Sequence, residues 1–193
     1  MRLRLGIALT VFGILLQAEN WPQWRGPSLN GVSAETNLPV KWTADEGIAW
    51  KIPLAERSGA TPIVWGDHIF LSVAEKGSLY LWAVSARDGA VQWKKHLGDG
   101  DVIMRKQNMS SPSPVTDGEW VWALTGTGIL KAFDFAGVEK WTRDIQQDYG
   151  RFGVNWGYAS SPLLYGDAIY VQVIHGMRTK DPSYILKFDA ARN

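Results

Sequence analysis

A nine-residue pattern of proline, three residues, glycine, acid, any residue, branched aliphatic and aromatic occurs three times in this chain. Its copies hold Pro62, Gly66, Asp67, Ile69 and Phe70, then Pro114, Gly118, Glu119, Val121 and Trp122, then Pro162, Gly166, Asp167, Ile169 and Tyr170. The prolines are 52 and 48 residues apart. Periods of this size belong to repeat architectures in which one supersecondary unit cannot bury its apolar face alone, and about 40 to 50 residues is the spacing of propeller blades. A second pattern follows each copy: Ala83, Ser85, Asp88, Gly89 and Trp93 in the first repeat, and Ala132, Asp134, Gly137 and Trp141 in the second, which is one residue shorter. The third reaches Phe188, Asp189 and Asn193, with Asn193 in the slot of Gly89. Asparagine is the commonest non-glycine residue at a positive-φ turn position.

Each repeat reads as four short strands divided by turn residues. In the first, Thr61 to Trp65 is strand one, Gly66-Asp67 a hairpin turn and His68 to Ala74 strand two. Glu75 to Gly77 turns into Ser78 to Val84, and Arg87-Asp88-Gly89 turns into Val91 to His96. No stretch beyond the N-terminal leader shows helical periodicity. Segments such as Trp120 to Leu124 are apolar on both faces, which requires a sheet covered on both sides. Radially packed sheets meet that condition. Pro62, Pro114 and Pro162 begin strand one, where a missing N–H does no harm if that strand is the inner edge of its sheet. The fold class expected is all-β, a β-propeller of four-stranded antiparallel blades, incomplete, with about three blades visible.

The chain holds 11 tryptophans, and the repeats account for them as scaffold. The tryptophan expected at the end of each fourth strand fills space between blades while its N–H finds a partner. Trp50, Trp93 and Trp141 are therefore assigned to structural docking, and Trp65, Trp82, Trp120 and Trp122 to the core. Trp50 resembles the end of an earlier repeat whose beginning is missing.

On these residues the chain resembles the pyrroloquinoline-quinone (PQQ)-type β-propeller repeat family, whose docking pattern is alanine, any, aspartate, two any, threonine, glycine, three any, tryptophan. The first repeat matches with Ser85 and Asp88 in place of the aspartate and threonine, and the second keeps Asp134. The opening Trp21-Pro22-Gln23-Trp24-Arg25-Gly26-Pro27 and the later Asn155-Trp156-Gly157-Tyr158-Ala159-Ser160-Ser161-Pro162 also look like segments of exported members. WD40 repeats carry an aspartate after the tryptophan, whereas Lys51, Lys94 and Thr142 stand there here.

Arg2 and Arg4, an apolar run from Leu5 to Leu16 and a small residue at Ala18 form a signal-peptide layout too short for a permanent span. The domain plan expected is a signal peptide at 1–18, an N-terminal extension at 19–39 and a partial propeller at 40–193. Its repeats fall at about 59–97, 110–143 and 160–193, with a partial blade ending near Trp50, and the remaining blades are expected from sequence outside this chain. Export places the protein in a bacterial periplasm or outside the cell.

Twenty basic against 19 acidic residues leave no cationic surplus for nucleic acid, and the absence of cysteine removes thiolate zinc and a catalytic cysteine. Asp99 and Asp101 resemble the start of a calcium loop, but Ile103 stands where a third oxygen ligand belongs, so a solvated turn is expected. Gly126-Thr127-Gly128 is read as a hairpin turn, and Asn108-Met109-Ser110 as a chance glycosylation match.

Within a blade, the strand two to three turn and the connection to the next blade emerge on one face. The connections Gly98 to Ser111 and Asp144 to Ala159 and the turn His175 to Pro182 present Arg105, Lys106, Gln107, Asn108, Arg151, Asn155, Trp156, Tyr158, His175 and Arg178 as candidate ligand-facing residues. Two functions follow. One is a non-catalytic scaffold binding a protein, a peptide or a cell-envelope component, with no cofactor. The resemblance implies the other, a quinoprotein alcohol or sugar dehydrogenase using PQQ and calcium, with an acidic base and, in many members, adjacent cysteines over the cofactor. No acid here matches that base, and the cysteines are absent. The intact mass of the exported product is expected to correspond to a chain starting at Glu19; a retained Met1 in membrane-extracted material would reject cleavage after Ala18.

Overall fold

The computed structural model describes residues 18–36, 38–176 and 179–189. The leader through residue 17, Arg178 and the Asn193 turn position lie outside the described residues. A strand begins immediately after each repeat proline: β1 (Ile63–Trp65), β5 (Val115–Thr116) and β9 (Leu163–Tyr165). Each is the edge of its own antiparallel sheet. The first sheet continues through β2 (His68–Glu75), β3 (Ser78–Ser85) and β4 (Val91–Asp99), and the second through β6 (Trp120–Leu124), β7 (Ile129–Asp134) and β8 (Glu139–Asp144). The third has β10 (Ala168–Val173) and β11 (Tyr184–Asp189) among the described residues. The register repeats as the sequence does: Ile69 opposes Val64, Val121 opposes Thr116 and Ile169 opposes Leu164.

The three edge strands converge on a common axis. β1 lies against β5 and β5 against β9. Just before the prolines, the Thr61 N–H donates to Ser113 Oγ at 2.8 Å and the Ser113 N–H to Ser161 Oγ at 2.9 Å, so one hydroxyl position ties each sheet to the next. The N-terminal extension crosses the same edges with three consecutive residues. Trp21 exchanges backbone hydrogen bonds of 2.8 and 2.9 Å with Val64, the Pro22 carbonyl accepts the Thr116 N–H at 2.9 Å, and the Gln23 carboxamide pairs with the Leu164 N–H and carbonyl at 3.2 and 3.3 Å. Val64, Thr116 and Leu164 are the same repeat position in three sheets, so groups that a sheet edge leaves unpaired are satisfied in turn.

Side-chain burial follows from this radial packing. Ile63, Phe70, Leu79, Leu81 and Ala83 of the first sheet meet Val121, Ala123 and Phe133 of the second. The opposite face of the second sheet, with Val115, Trp122, Leu124, Leu130 and Ala132, meets Ile169, Val171, Val173 and Phe188 of the third. This is why β6 is apolar on both faces. Burying one such side chain contributes about 1.5–3 kcal/mol.

The tryptophans sit differently from the expectation. Trp93 and Trp141 are the third residues of β4 and β8, not the ends, because both strands run on past them. Each follows a register shift, between Ala83 and Val84 in one sheet and Ala132 and Phe133 in the other, and such a bulge re-aims the side chain. Trp93 Nε1 donates to the Phe135 carbonyl of the next sheet at 2.9 Å, and Trp50 Nε1 makes the same bond to Ala86 at 3.0 Å. Beneath them lie Gly89 and Gly137, at φ +73° and +78°. Trp141 Nε1 is buried and has no partner among the described residues; the matching repeat position, Ala190, lies outside them.

Helical structure, unexpected from the sequence, occurs once among the described residues. The helix α1 (Ile145–Tyr149) starts where Asp144 caps the Gln147 N–H at 2.9 Å and stops at Gly150, at φ +100°. Five residues cannot show a helical period. The described residues of 24–62 form no strand, and Trp50 and Ile52 stand for the expected partial blade by packing on the first sheet.

A Cβ at Gly89 would lie 2.6 Å from the Trp50 ring, and the backbone there is left-handed. Gly89→Ala is expected to cost about 1–3 kcal/mol, read as a lower urea midpoint with unchanged slope, and Trp50→Phe about 1 kcal/mol through the lost hydrogen bond. A Gly89→Ala chain as stable as the parent would show that the tryptophan seat is not under steric constraint.

Candidate binding face

The two ends of the sheets differ. At one, the β1–β2 and β3–β4 turns meet, with Ala86 N–H on the Asp67 carbonyl at 2.8 Å and Arg87 paired to Asp67 at 2.9 Å. At the other, the β2–β3 turn meets the connection after β4, where the Gly77 carbonyl accepts from Gly100 and Asp101 at 2.9 and 3.0 Å. The β6–β7 turn, which contains Gly126-Thr127-Gly128 as expected, meets the connection after β8 through Ile145 N–H on Gly128 and Gln146 Nε2 on Thr127. Turns and connections therefore share one face.

That face is tied together by polar side chains bonded to its own loops and strand ends. Asp101 accepts the Met109 N–H at 2.8 Å and the Asn108 amide at 3.4 Å, making it the clasp of its connection. Asp99 is held by the Ser78 hydroxyl at 2.7 Å and His96 at 2.9 Å. Among the described residues no group of three His, Cys, Asp or Glu could hold a metal.

Three candidate residues are buried. Asn108 is 2% exposed; its amide donates to the Arg57 carbonyl at 2.8 Å, and its Oδ1 accepts from Ser110 and Ser111. Tyr158 is 2% exposed, stacked on Phe152 with centroids 3.9 Å apart, and donates to the Gln172 carbonyl at 2.6 Å. Burial pushes its phenol well above the usual tyrosine range. His175, 6% exposed, sets its two ring nitrogens 3.0 Å from the carbonyls of Tyr149 and Pro182, which joins the β10–β11 turn to the end of α1. These residues lie on the loops, but the loops close around them because their backbone groups need partners.

Arg105, Lys106, Arg151 and Asn155 are exposed, Gln107 is half-buried and Trp156 is 54% exposed. The two connections that carry them touch, since a Cβ at Gly157 would lie 3.1 Å from Gln107 Cβ. Beside that contact is a cavity of about 450 Å³, lined in part by Trp24, Gln107, Ser113, Tyr158, Ser160 and Ser161. Sequence reasoning missed Trp24 and the serines. The signal was available in the hydroxyl residue before each proline (Thr61, Ser113, Ser161), repeating at 52 and 48 residues.

Four acids titrate below the usual carboxylate range. The Ser85 hydroxyl holds Asp88 down, the Ser78 hydroxyl Asp99, and Lys140, at 2.8 Å, Asp134. Partial burial raises Glu139, but the Thr142 hydroxyl and Lys131 outweigh it.

Radial four-stranded sheets with their first strands at the axis define a β-propeller. Residues 32–188 match the family described as outer membrane protein assembly factor BamB, and the chain belongs to this PQQ-like repeat family. No curated protein matches it. Among solved structures it is similar to a europium-containing methanol dehydrogenase, at TM-score 0.53 and 18% identity over 74% of this chain and 25% of that one. BamB from Moraxella catarrhalis gives 0.48 and 20%, covering 74% and 36%, and a quinohemoprotein alcohol dehydrogenase from Pseudomonas putida HK5 gives 0.49 and 21%, covering 73% and 20%. The chain thus spans between 20% and 36% of these structures. No helix among the described residues is long and apolar enough to cross a membrane.

A carboxylate whose folded pKa is lowered stabilises the fold above the ordinary carboxylate range and loses that contribution as pH falls through the lowered value. The urea midpoint is therefore expected to drop between about pH 5 and about pH 2, and Asp134→Asn to shrink that drop by removing one of the four acids. A midpoint that stays level or rises on acidification would contradict the assignment.

Proposed function

We propose that this chain is an exported, non-catalytic binding scaffold of the cell envelope, periplasmic or secreted, which holds a protein, a peptide or another envelope component against its loop-bearing face. The observation that carries the reading is how the candidate residues divide. Asn108, Tyr158 and His175 are spent inside the loops, while Arg105, Lys106, Arg151, Asn155 and Trp156 stand at the surface. Cations, an amide and an exposed indole on loops carried by the sheets suit recognition, since aromatic and arginine side chains carry much of the energy of protein contacts. Membership of a family described as an outer membrane assembly factor supports envelope partners.

The alternative, a PQQ- and calcium-dependent alcohol or sugar dehydrogenase, asks more of the site. Calcium takes about 6 to 8 oxygen ligands, carboxylates foremost. The cavity beside the axis is lined by serines, Gln107 and apolar residues with no carboxylate, so the described residues do not fit that ion or a quinone held through it.

A photo-crosslinking residue placed at Lys106, Arg151 or Trp156 is expected to give covalent adducts in the exporting cell, and one at Arg87, on the opposite end, none. Equal adducts from both ends, or none from the loops, would overturn the binding face. Dye reduction above a protein-free control after reconstitution with PQQ and calcium would overturn the non-catalytic reading.

A further inference from the structure

The cavity beside Trp24 continues into a second one of about 440 Å³, and the two share Trp24, Ser160 and Ser161. Together they form a cleft alongside the axis, within the size range of small-molecule sites. Its polar lining consists of hydroxyls and the carboxamides of Gln23, Gln107 and Gln172. Arg25 is the one charged residue lining it, and its Nε and Nη2 already donate to the Leu29 and Asn30 carbonyls at 3.2 and 2.8 Å.

Two hydroxyls in the cleft are half used. A serine hydroxyl offers one donor and two acceptor sites. Ser113 Oγ accepts the Thr61 N–H and Ser161 Oγ the Ser113 N–H, yet among the described residues no acceptor takes either hydroxyl proton. Ser113 is 2% exposed and closes the floor, whereas Ser161 is half-buried and lines both cavities, so its hydroxyl keeps capacity for whatever enters the cleft. Trp24, which lines both cavities, is 55% exposed and adds a broad apolar platform.

We propose that this cleft binds a neutral saccharide, with a sugar ring on Trp24 and its hydroxyls bonded to Ser161 and Gln172. A sugar ring presents an apolar C–H face and a rim of hydroxyls that both donate and accept, which matches an indole beside serines and carboxamides. The lining carries a single cation, Arg25, against several neutral hydroxyls and carboxamides. An extended peptide would add itself to a sheet edge, but the inner edges, the ones beside this cleft, are already taken by Trp21, Pro22 and Gln23. The inference rests on the reading of the chain as a binding scaffold, and it uses surface apart from the exposed cations of the loops.

Saturation-transfer NMR with maltotriose, cellotriose and the N-acetylglucosamine trimer, each at about 10 mM, tests it on the whole chain, with a sulfated disaccharide as the charged control. At least one neutral sugar is expected to receive saturation. Trp24→Ala should weaken its affinity about tenfold or more, and Gln172→Ala should weaken it with an unchanged urea midpoint. The trimer that binds distinguishes an amino-sugar glycan from a glucan. No transfer to any neutral sugar, transfer unchanged in Trp24→Ala, or stronger transfer to the sulfated sugar would overturn the proposal. Adducts at the loop positions would still stand in that case, so the cleft and the loop face fail separately.

Discussion

The inner edge of each sheet is the constraint on which the rest of this structure depends. Strands that converge on an axis cannot pair with one another as a sheet, so the backbone groups of β1, β5 and β9 that face the axis need other partners. Proline before each strand removes one donor from the problem. The hydroxyls of Ser113 and Ser161 take up two more, and Trp21, Pro22 and Gln23 cover the next position in all three sheets. Because those solutions sit at equivalent repeat positions, they also align the sheets with each other.

Alignment decides what the faces bury. The second sheet lies between neighbours, and its strand β6 is buried on both sides, with Trp122 fully buried on one face and Val121 on the other. Stability in such an array comes from neighbour interfaces as much as from any sheet alone. Trp50 and Trp93 strengthen those interfaces by combining apolar area with a directional N–H bond to the turn of the following sheet. The bulge before Trp93 gives the indole its angle.

The same economy shapes the face where function is placed. Long connections carry many polar backbone groups, and a connection that packs against a sheet has to satisfy them internally. Asp101, Asn108 and His175 do this work, which removes Asn108 and His175 from the surface. What is left outside includes cations, an amide and an indole, beside the apolar Val102 and Ile103. The cleft near Trp24 arises where the N-terminal extension, having crossed the axis, meets the hydroxyls before the prolines.

Strand order, turn positions and the two-sided burial of Trp120 to Leu124 were legible in the sequence, because each depends on residues within one repeat: proline, glycine and an apolar run act locally whatever lies nearby. The helix Ile145–Tyr149 was not, being shorter than the period that reveals one. Nor was the burial of Asn108, Tyr158 and His175, since whether a loop polar group faces water or a carbonyl depends on chain far away in sequence, such as Arg57 for Asn108 and Tyr149 for His175. Trp24 looked like part of a detached extension until the fold set it beside Ser160 and Ser161, more than a hundred residues on. By itself, then, the sequence determined the unit that repeats and the edges that unit must leave open, because these are matters of local geometry. Only the tertiary structure decided which residues close the edges and which polar groups remain to meet a ligand, because hydrogen-bond satisfaction is settled across the whole molecule.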